Sequence, residues 1–160
     1  MDTSDELETI RAIISSSKVA VLTTENQFGE LHSRPLAVLD HEFDGSLWFF
    51  TRDPSSKVEE VAIDPRVNVS YSDGKGYLSI SGIAAVEHNQ TRIAQLWNPA
   101  VEAWFEHGRD DPAVALLRVD AGSAEYWASD KPAVARAFEF AKAAVTDTTP
   151  EVGENRKVEL

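Results

Sequence analysis

Two periods of apolar residues succeed one another along the chain and divide it into strands and helices. Leu7, Ile10 and Ile14 follow Thr3–Glu6, a threonine with a glutamate three residues later, which is the form of a capping box; a short first helix is predicted there. Lys18–Thr24 (KVAVLTT) is compact and β-branched, Leu31–Leu39 is similar, and the polar turn Asn26-Gln27-Phe28-Gly29 separates them. These two segments read as a hairpin. Ser46–Thr51 (SLWFFT) is a third strand, entered from Asp44-Gly45 and stopped by Asp53-Pro54. Ser56–Glu59 then repeats the serine-to-glutamate capping form, and Val58, Val61 and Ala62 carry helical spacing beyond it.

Arg66–Tyr71 (RVNVSY) alternates cleanly, and after Asp73-Gly74 a longer strand runs from Tyr77 to about Val86. From Asn89 the period returns to three and four. Ile93, Leu96, Trp97, Ala100, Val101, Trp104 and Phe105 draw one broad apolar stripe, which Pro99 either interrupts or, together with Asn98, restarts as a second capped helix. Val114–Val119 and Glu125–Trp127 form a last strand or strand pair around Ala121-Gly122, and Pro132, Val134, Phe138, Ala141 and Val145 mark a closing helix. Residues 146–160 are polar and read as a mobile tail, leaving 1–145 as a single domain. The turns between successive strands are short, so the pairing is expected to be antiparallel: an α+β, mainly β fold whose sheet is able to close into a barrel.

Composition narrows the chemistry. With 27 acidic and 15 basic residues the 160-residue chain has a formal charge of −12, which repels nucleic acid and anionic membranes, so any phosphate it binds must be held by local groups. The absence of cysteine excludes disulfides, thiolate catalysis and cysteine-ligated metals. The acidic opening MDTSDELET has no feature of a signal or transit peptide, and no apolar run is long enough to span a bilayer. A cytoplasmic protein is expected. His32, His41, His88 and His107 are scattered without metal-site spacing, no serine lies in a nucleophile elbow, and no Gly-rich phosphate loop occurs.

What remains is an aromatic and basic constellation. In LHSRPLAVL, His32 and Arg34 share one face of a strand while Ser33 and Pro35 share the other. Proline cannot donate to a ladder, so this strand is expected at an edge or a bulge, where a planar ligand can meet the backbone. Ser56 and Lys57 sit at a helix N-terminus, where unpaired N–H groups and a cation favour an anion. Each residue also has a plainer role: Arg34 in a surface ion pair, Ser56 as a cap, Lys57 in solvent, Trp97 and Trp104 as core or interface, and Phe50 as barrel filling.

The succession GELHSRPLAV, DGSLWFFTRDPSSKVEEVAIDPRVNVSY, GYLSISGIAAV, LWNPAVEAWFEHGRDDPAVALLRV and AEYW resembles the general stress protein 26 group. That group belongs to the FMN-binding split-barrel superfamily of pyridoxamine 5′-phosphate oxidase. The resemblance reaches from the first strand to about Trp127, and its elements are specific together rather than singly. It implies a six-stranded antiparallel split β-barrel with flanking helices, a homodimer formed through the sheets, and two flavins at the subunit interface. By position it places Ser33, Arg34 and Pro35 along the ring and ribityl chain, Phe50 and Thr51 beside the cofactor, and Ser56 with Lys57 at the phosphate. Tyr77, Trp97 and Trp104 would come from the partner subunit. No Arg-rich C-terminal segment is present, Arg156-Lys157 being the only late basic pair, which argues against vitamin B6 oxidation. The implied function is that of a small FMN-dependent oxidoreductase, with NADH or NADPH as a candidate electron donor. FAD, a deazaflavin or haem in the same cleft, and a non-catalytic protein that stores, senses or buffers FMN, are the alternatives.

Overall fold

The computed structural model describes residues 3–128, 141–142, 144–145 and 154–160. Its elements are α1 (Thr3–Ser16), β1 (Val19–Glu25), β2 (Leu31–Ala37), β3 (Ser46–Arg52), α2 (Ser56–Ile63), β4 (Arg66–Ser72), β5 (Gly76–Glu87), α3 (Gln90–Leu96), α4 (Pro99–Glu102), β6 (Val114–Ala128) and β7 (Glu154–Glu159). No helix among the described residues is long and apolar enough to cross a membrane.

The alternation read from the sequence becomes one antiparallel sheet in the order β2-β1-β4-β5-β6-β3, with β7 also paired to β6. Alternate residues of the strands point inward: Ala20 and Leu22 on β1, Leu47 and Phe49 on β3, Val67, Val69 and Tyr71 on β4, Leu78 and Ile80 on β5. Ile10, Ile13 and Ile14 of α1 and Val61 of α2 join the same core. Side chains of this size contribute about 1.5–3 kcal/mol each when fully buried, so the pattern itself specifies which face of each strand points in.

Alternation along β3 feeds two cores. Phe49 lies in the main one, while Trp48 and Phe50 pack against a second made of Leu39, Ile93, Val101, Phe105, Val114 and Leu116. The helical stripe after Asn89 is split accordingly. The Asn89 side chain caps α3 by accepting from Arg92 N at 3.1 Å, and Asn98 caps α4 by accepting from Val101 N at 3.0 Å with Pro99 in its first turn. Pro99 therefore begins a second helix, and this turn of the chain leaves Trp104 73% exposed while Phe105 is buried.

The sheet is open between its ends, as the split-barrel resemblance implies, and departs from expectation in strand number. It has seven strands instead of six, because Glu154–Glu159, read from sequence as part of a polar tail, pairs antiparallel with Ser123–Ala128. Among the described side chains of this segment Val158 alone enters the core, which is why its composition looked unable to build structure; the residues beside it face water on an outer strand. The long β6 is shared, since Val114–Asp120 pairs with β3 and Ser123–Ala128 with β7. β2 and β3, the two ends of the main path, approach one another without pairing, so the barrel is split there. The predicted closing helix from Pro132 to Val145 falls mostly outside the described residues.

A bulge adjusts β6 against β5. Ser81 pairs with Ser123 but Gly82 pairs with Ala121, which leaves Gly122 as the extra residue. Gly82 is required by proximity. A Cβ built there would lie 2.4 Å from the carbonyl oxygen of Asp120 and 2.9 Å from Cγ1 of Val119.

Candidate functional site

The first hairpin and the second helix build one charged cluster. In the β1–β2 register Thr24 stands opposite His32 and Leu22 opposite Arg34, so His32 and Arg34, two apart on β2, lie on one face. α2 presents Glu60 to them. Arg34 donates from Nη2 to Glu60 Oε2 at 2.9 Å and from Nη1 to Thr24 Oγ1 at 2.5 Å. The Thr24 hydroxyl hydrogen-bonds the same carboxylate oxygen, and His32 Nδ1 lies 3.2 Å from Oε1. Glu60 is thus buried, 8% exposed, but fully partnered. The Thr24 hydrogen bond holds its carboxyl below the ordinary carboxylate range; burial opposes this, and Arg34 and His32 reinforce it.

Lys57 stands one helical turn before Glu60 and is half-buried. Burial first, and then the positive charge of Arg34, push its ammonium below the ordinary value of 10.5. Among the described residues it has no carboxylate partner. Lys57 is a cation held where its surroundings disfavour a cation, and the attraction of an anion placed beside it would oppose both effects.

The helix start differs by one residue from the expected cap. Ser55, not Ser56, is the N-cap: its hydroxyl accepts from Val58 N at 3.4 Å, and its carbonyl accepts from Glu59 N at 3.1 Å. Glu59 is exposed and does not act as the box partner of Ser56. The shift frees Ser56, an exposed residue, from the capping role and leaves the N–H groups of Ser56 and Lys57 as the unpaired donors of the first turn.

The remaining predicted residues divide into two sets. Ser33 shares a hydrogen bond with Thr23 at 2.7 Å, and Pro35 pairs with Val21 of β1 and lies on β2, the edge strand that its missing N–H called for. Phe50 and Thr51 lie on β3, the other unpaired edge of the split, opposite Leu116 and Ala115. Ser33, Arg34, Pro35, Phe50, Thr51, Ser56 and Lys57 therefore come from the two edges of the split and the helix that follows one of them. Trp97 is engaged elsewhere, edge-on to Phe50 at 5.5 Å and tilted against Phe105 at 5.8 Å within the second core. Tyr77 and Trp104 are exposed, and neither joins the charged cluster.

Sequence reading missed Glu60 and Thr24, and set His32 beside Arg34 on one strand face without giving it a partner. Glu60 follows Lys57 by three and Ser56 by four, so all three share a helix face; what no periodicity shows is that this face meets β1 and β2. No group of His, Asp and Glu able to hold a metal occurs among the described residues.

Residues 5–151 match the family model described as pyridoxamine 5′-phosphate oxidase like. The chain belongs to the pyridoxamine 5′-phosphate oxidase-like family. The matched span contains every residue of the charged cluster and stops short of β7, the strand that sequence reading also left out. Protein bli-3 of Neurospora crassa is a relative of this family member, 27% identical over 165 residues that cover 96% of this chain and 79% of that protein. The general stress FMN/FAD binding protein of Xanthomonas citri is 30% identical, with a TM-score of 0.71 over 80% of this chain and 92% of its own. A Clostridium acetobutylicum protein related to general stress protein 26 shares the fold, with a TM-score of 0.74 over 100% of this chain and 97% of its own at 18% identity.

Proposed function

We propose that this chain is a flavoprotein that takes FMN by its phosphate at Lys57, Arg34 and the start of α2, with the ring laid along the unpaired edges of β2 and β3. The observation that carries the proposal is Lys57, a half-buried cation that has no carboxylate partner among the described residues and stands beside a guanidinium and two helix N–H groups left unpaired by the cap. Family membership and the FMN/FAD binding relative support the same reading. The donor set fits a phosphomonoester: an ammonium and a guanidinium close enough to feel one another's charge, with the Ser56 hydroxyl and two backbone N–H groups at the start of the same helix as the ammonium. Their local charge is what the acidic chain as a whole cannot supply.

FMN, when bound, supplies the redox chemistry. The chain's own residues do the rest. Lys57 and the α2 N-terminus hold the phosphate, Pro35 leaves its edge of β2 without a donor, and Ser33 offers a hydroxyl already oriented by Thr23. Phe50, braced by Trp97, fixes the apolar side of β3. The activity proposed is that of a small FMN-dependent oxidoreductase, for which steady oxidation of NADH or NADPH by the loaded protein is the test. Tight FMN binding without turnover would instead make it a protein that stores or senses the cofactor.

The proposal includes a homodimer formed through the sheets. Val19, Val21, Ile83 and Tyr77 are exposed to between 38% and 54%, an apolar load that a lone domain leaves wet and a second copy would cover. Light scattering at micromolar concentration is expected to give twice the 17.6 kDa chain mass. A monomeric mass would refute the dimer.

A further inference from the structure

Glu60 presents a paradox for an anion site. A buried carboxylate stands beside the two cations proposed to hold a phosphate, and simple Coulomb attraction says that it should weaken the site. Its contacts give the reason for its presence. Both Arg34 contacts on the cluster go to the same small group of atoms, Nη2 to Glu60 Oε2 and Nη1 to Thr24 Oγ1, and Thr24 itself bonds Oε2. A guanidinium held by two of its nitrogens through a carboxylate and a buried hydroxyl has one orientation available. Thr24 is 1% exposed, Glu60 is 8% exposed, and the Arg34 side chain is 20% exposed, so the clamp is set in the structure while part of the guanidinium still reaches the surface.

The carboxylate reaches Arg34 but not Lys57, although both cations lie on its side of α2. Glu60 therefore divides the labour: one cation is neutralised and fixed, the other stays unneutralised for the ligand. We infer that Glu60 is a positioning residue of the phosphate site, acting through Thr24 and Arg34, and that it makes the site selective for a phosphomonoester set in one geometry over anions in general. This rests on the FMN reading above.

Removing the charge while keeping the shape separates this role from plain electrostatics. Glu60→Gln makes the cluster more positive by one unit, so charge alone predicts tighter FMN binding, whereas loss of the clamp predicts weaker binding. We expect the FMN Kd to rise about tenfold, the loss of roughly one charge-assisted hydrogen bond. Riboflavin has the same ring and no phosphate, and its Kd is expected to stay unchanged. In an Arg34→Ala background the Glu60→Gln effect on FMN should vanish, because the path from Glu60 to the ligand runs through Arg34. Thr24→Val, similar in shape without the hydroxyl, provides a second route to the same loosening and should raise the FMN Kd in the same direction.

A positioning role is overturned if FMN binds Glu60→Gln as tightly as, or more tightly than, the parent protein. Equal weakening of riboflavin and FMN would also overturn it, since that is the mark of a general structural defect. If the parent protein does not bind FMN, the flavin reading falls and this inference with it. If the parent binds and the variants match it, the inference alone falls.

Discussion

Lys57→Ala combined with Arg34→Ala is expected to weaken FMN binding by more than about a hundredfold, as two charge-assisted contacts of roughly 1.5–3 kcal/mol each are lost. The two substitutions are expected to differ in their effect on the fold. Lys57 has no carboxylate partner among the described residues and sits against burial and a neighbouring positive charge, so its removal should leave the thermal midpoint unchanged or slightly raised. Arg34 neutralises the buried Glu60, and its removal leaves that carboxylate with only Thr24 and His32. Breaking a buried pair from one side costs up to about 3–5 kcal/mol, though the partial exposure of Arg34 places this case below that range. Titration of the single and double variants with FMN, read beside their melting curves, checks both statements. Unchanged FMN affinity in a folded double variant would remove the phosphate assignment.

Gly82→Ala is expected to be the costliest small substitution in the sheet, although it adds one methyl group. The added Cβ would stand 2.4 Å from the Asp120 carbonyl oxygen, a backbone atom held in the β5–β6 ladder, and cannot be accommodated by turning a side chain. Overpacking of this kind costs about 1–3 kcal/mol, and the upper end is expected because backbone must move. For a chain of this size that corresponds to a fall in Tm of roughly 5–10 °C. A chemical denaturation curve gives the same comparison without heating. A variant within 0.5 kcal/mol of the parent, the scatter of about that size expected for neutral surface changes, would show that the bulge relaxes freely.

The parts of the fold that follow from periodicity were legible. Alternation in RVNVSY and SLWFFT fixed which residues face the core, and short turns fixed the antiparallel order. Pro35 marked an edge strand because a missing N–H has only a few places to go. The split of the barrel was not legible from the residues themselves, since whether the terminal strands of a sheet meet depends on accumulated twist and on the bulge at Gly122. β7 escaped for a different reason: a strand with one buried residue carries almost no hydrophobic signal, and Val158 alone does not make a period.

The site divides in the same way. Arg34, Ser56 and Lys57 were visible because a cation beside a helix start is a local feature. Glu60 was invisible because its role depends on which face of α2 meets the first hairpin, a tertiary fact. The Ser55 cap was misread by one position because two consecutive serines satisfy the same pattern, and only backbone geometry distinguishes them. Trp97 was read two ways, and its contacts with Phe50 and Phe105 show it packed within the second core.

The measurement that tests the central claim most directly is a titration of the purified protein with FMN and, in parallel, with riboflavin, following flavin fluorescence. Saturable quenching by the protein, markedly tighter for FMN than for riboflavin, is the predicted result, because the phosphate is what Lys57, Arg34 and the start of α2 are arranged to hold. Absence of FMN binding, or equal affinity for the two flavins, would contradict it.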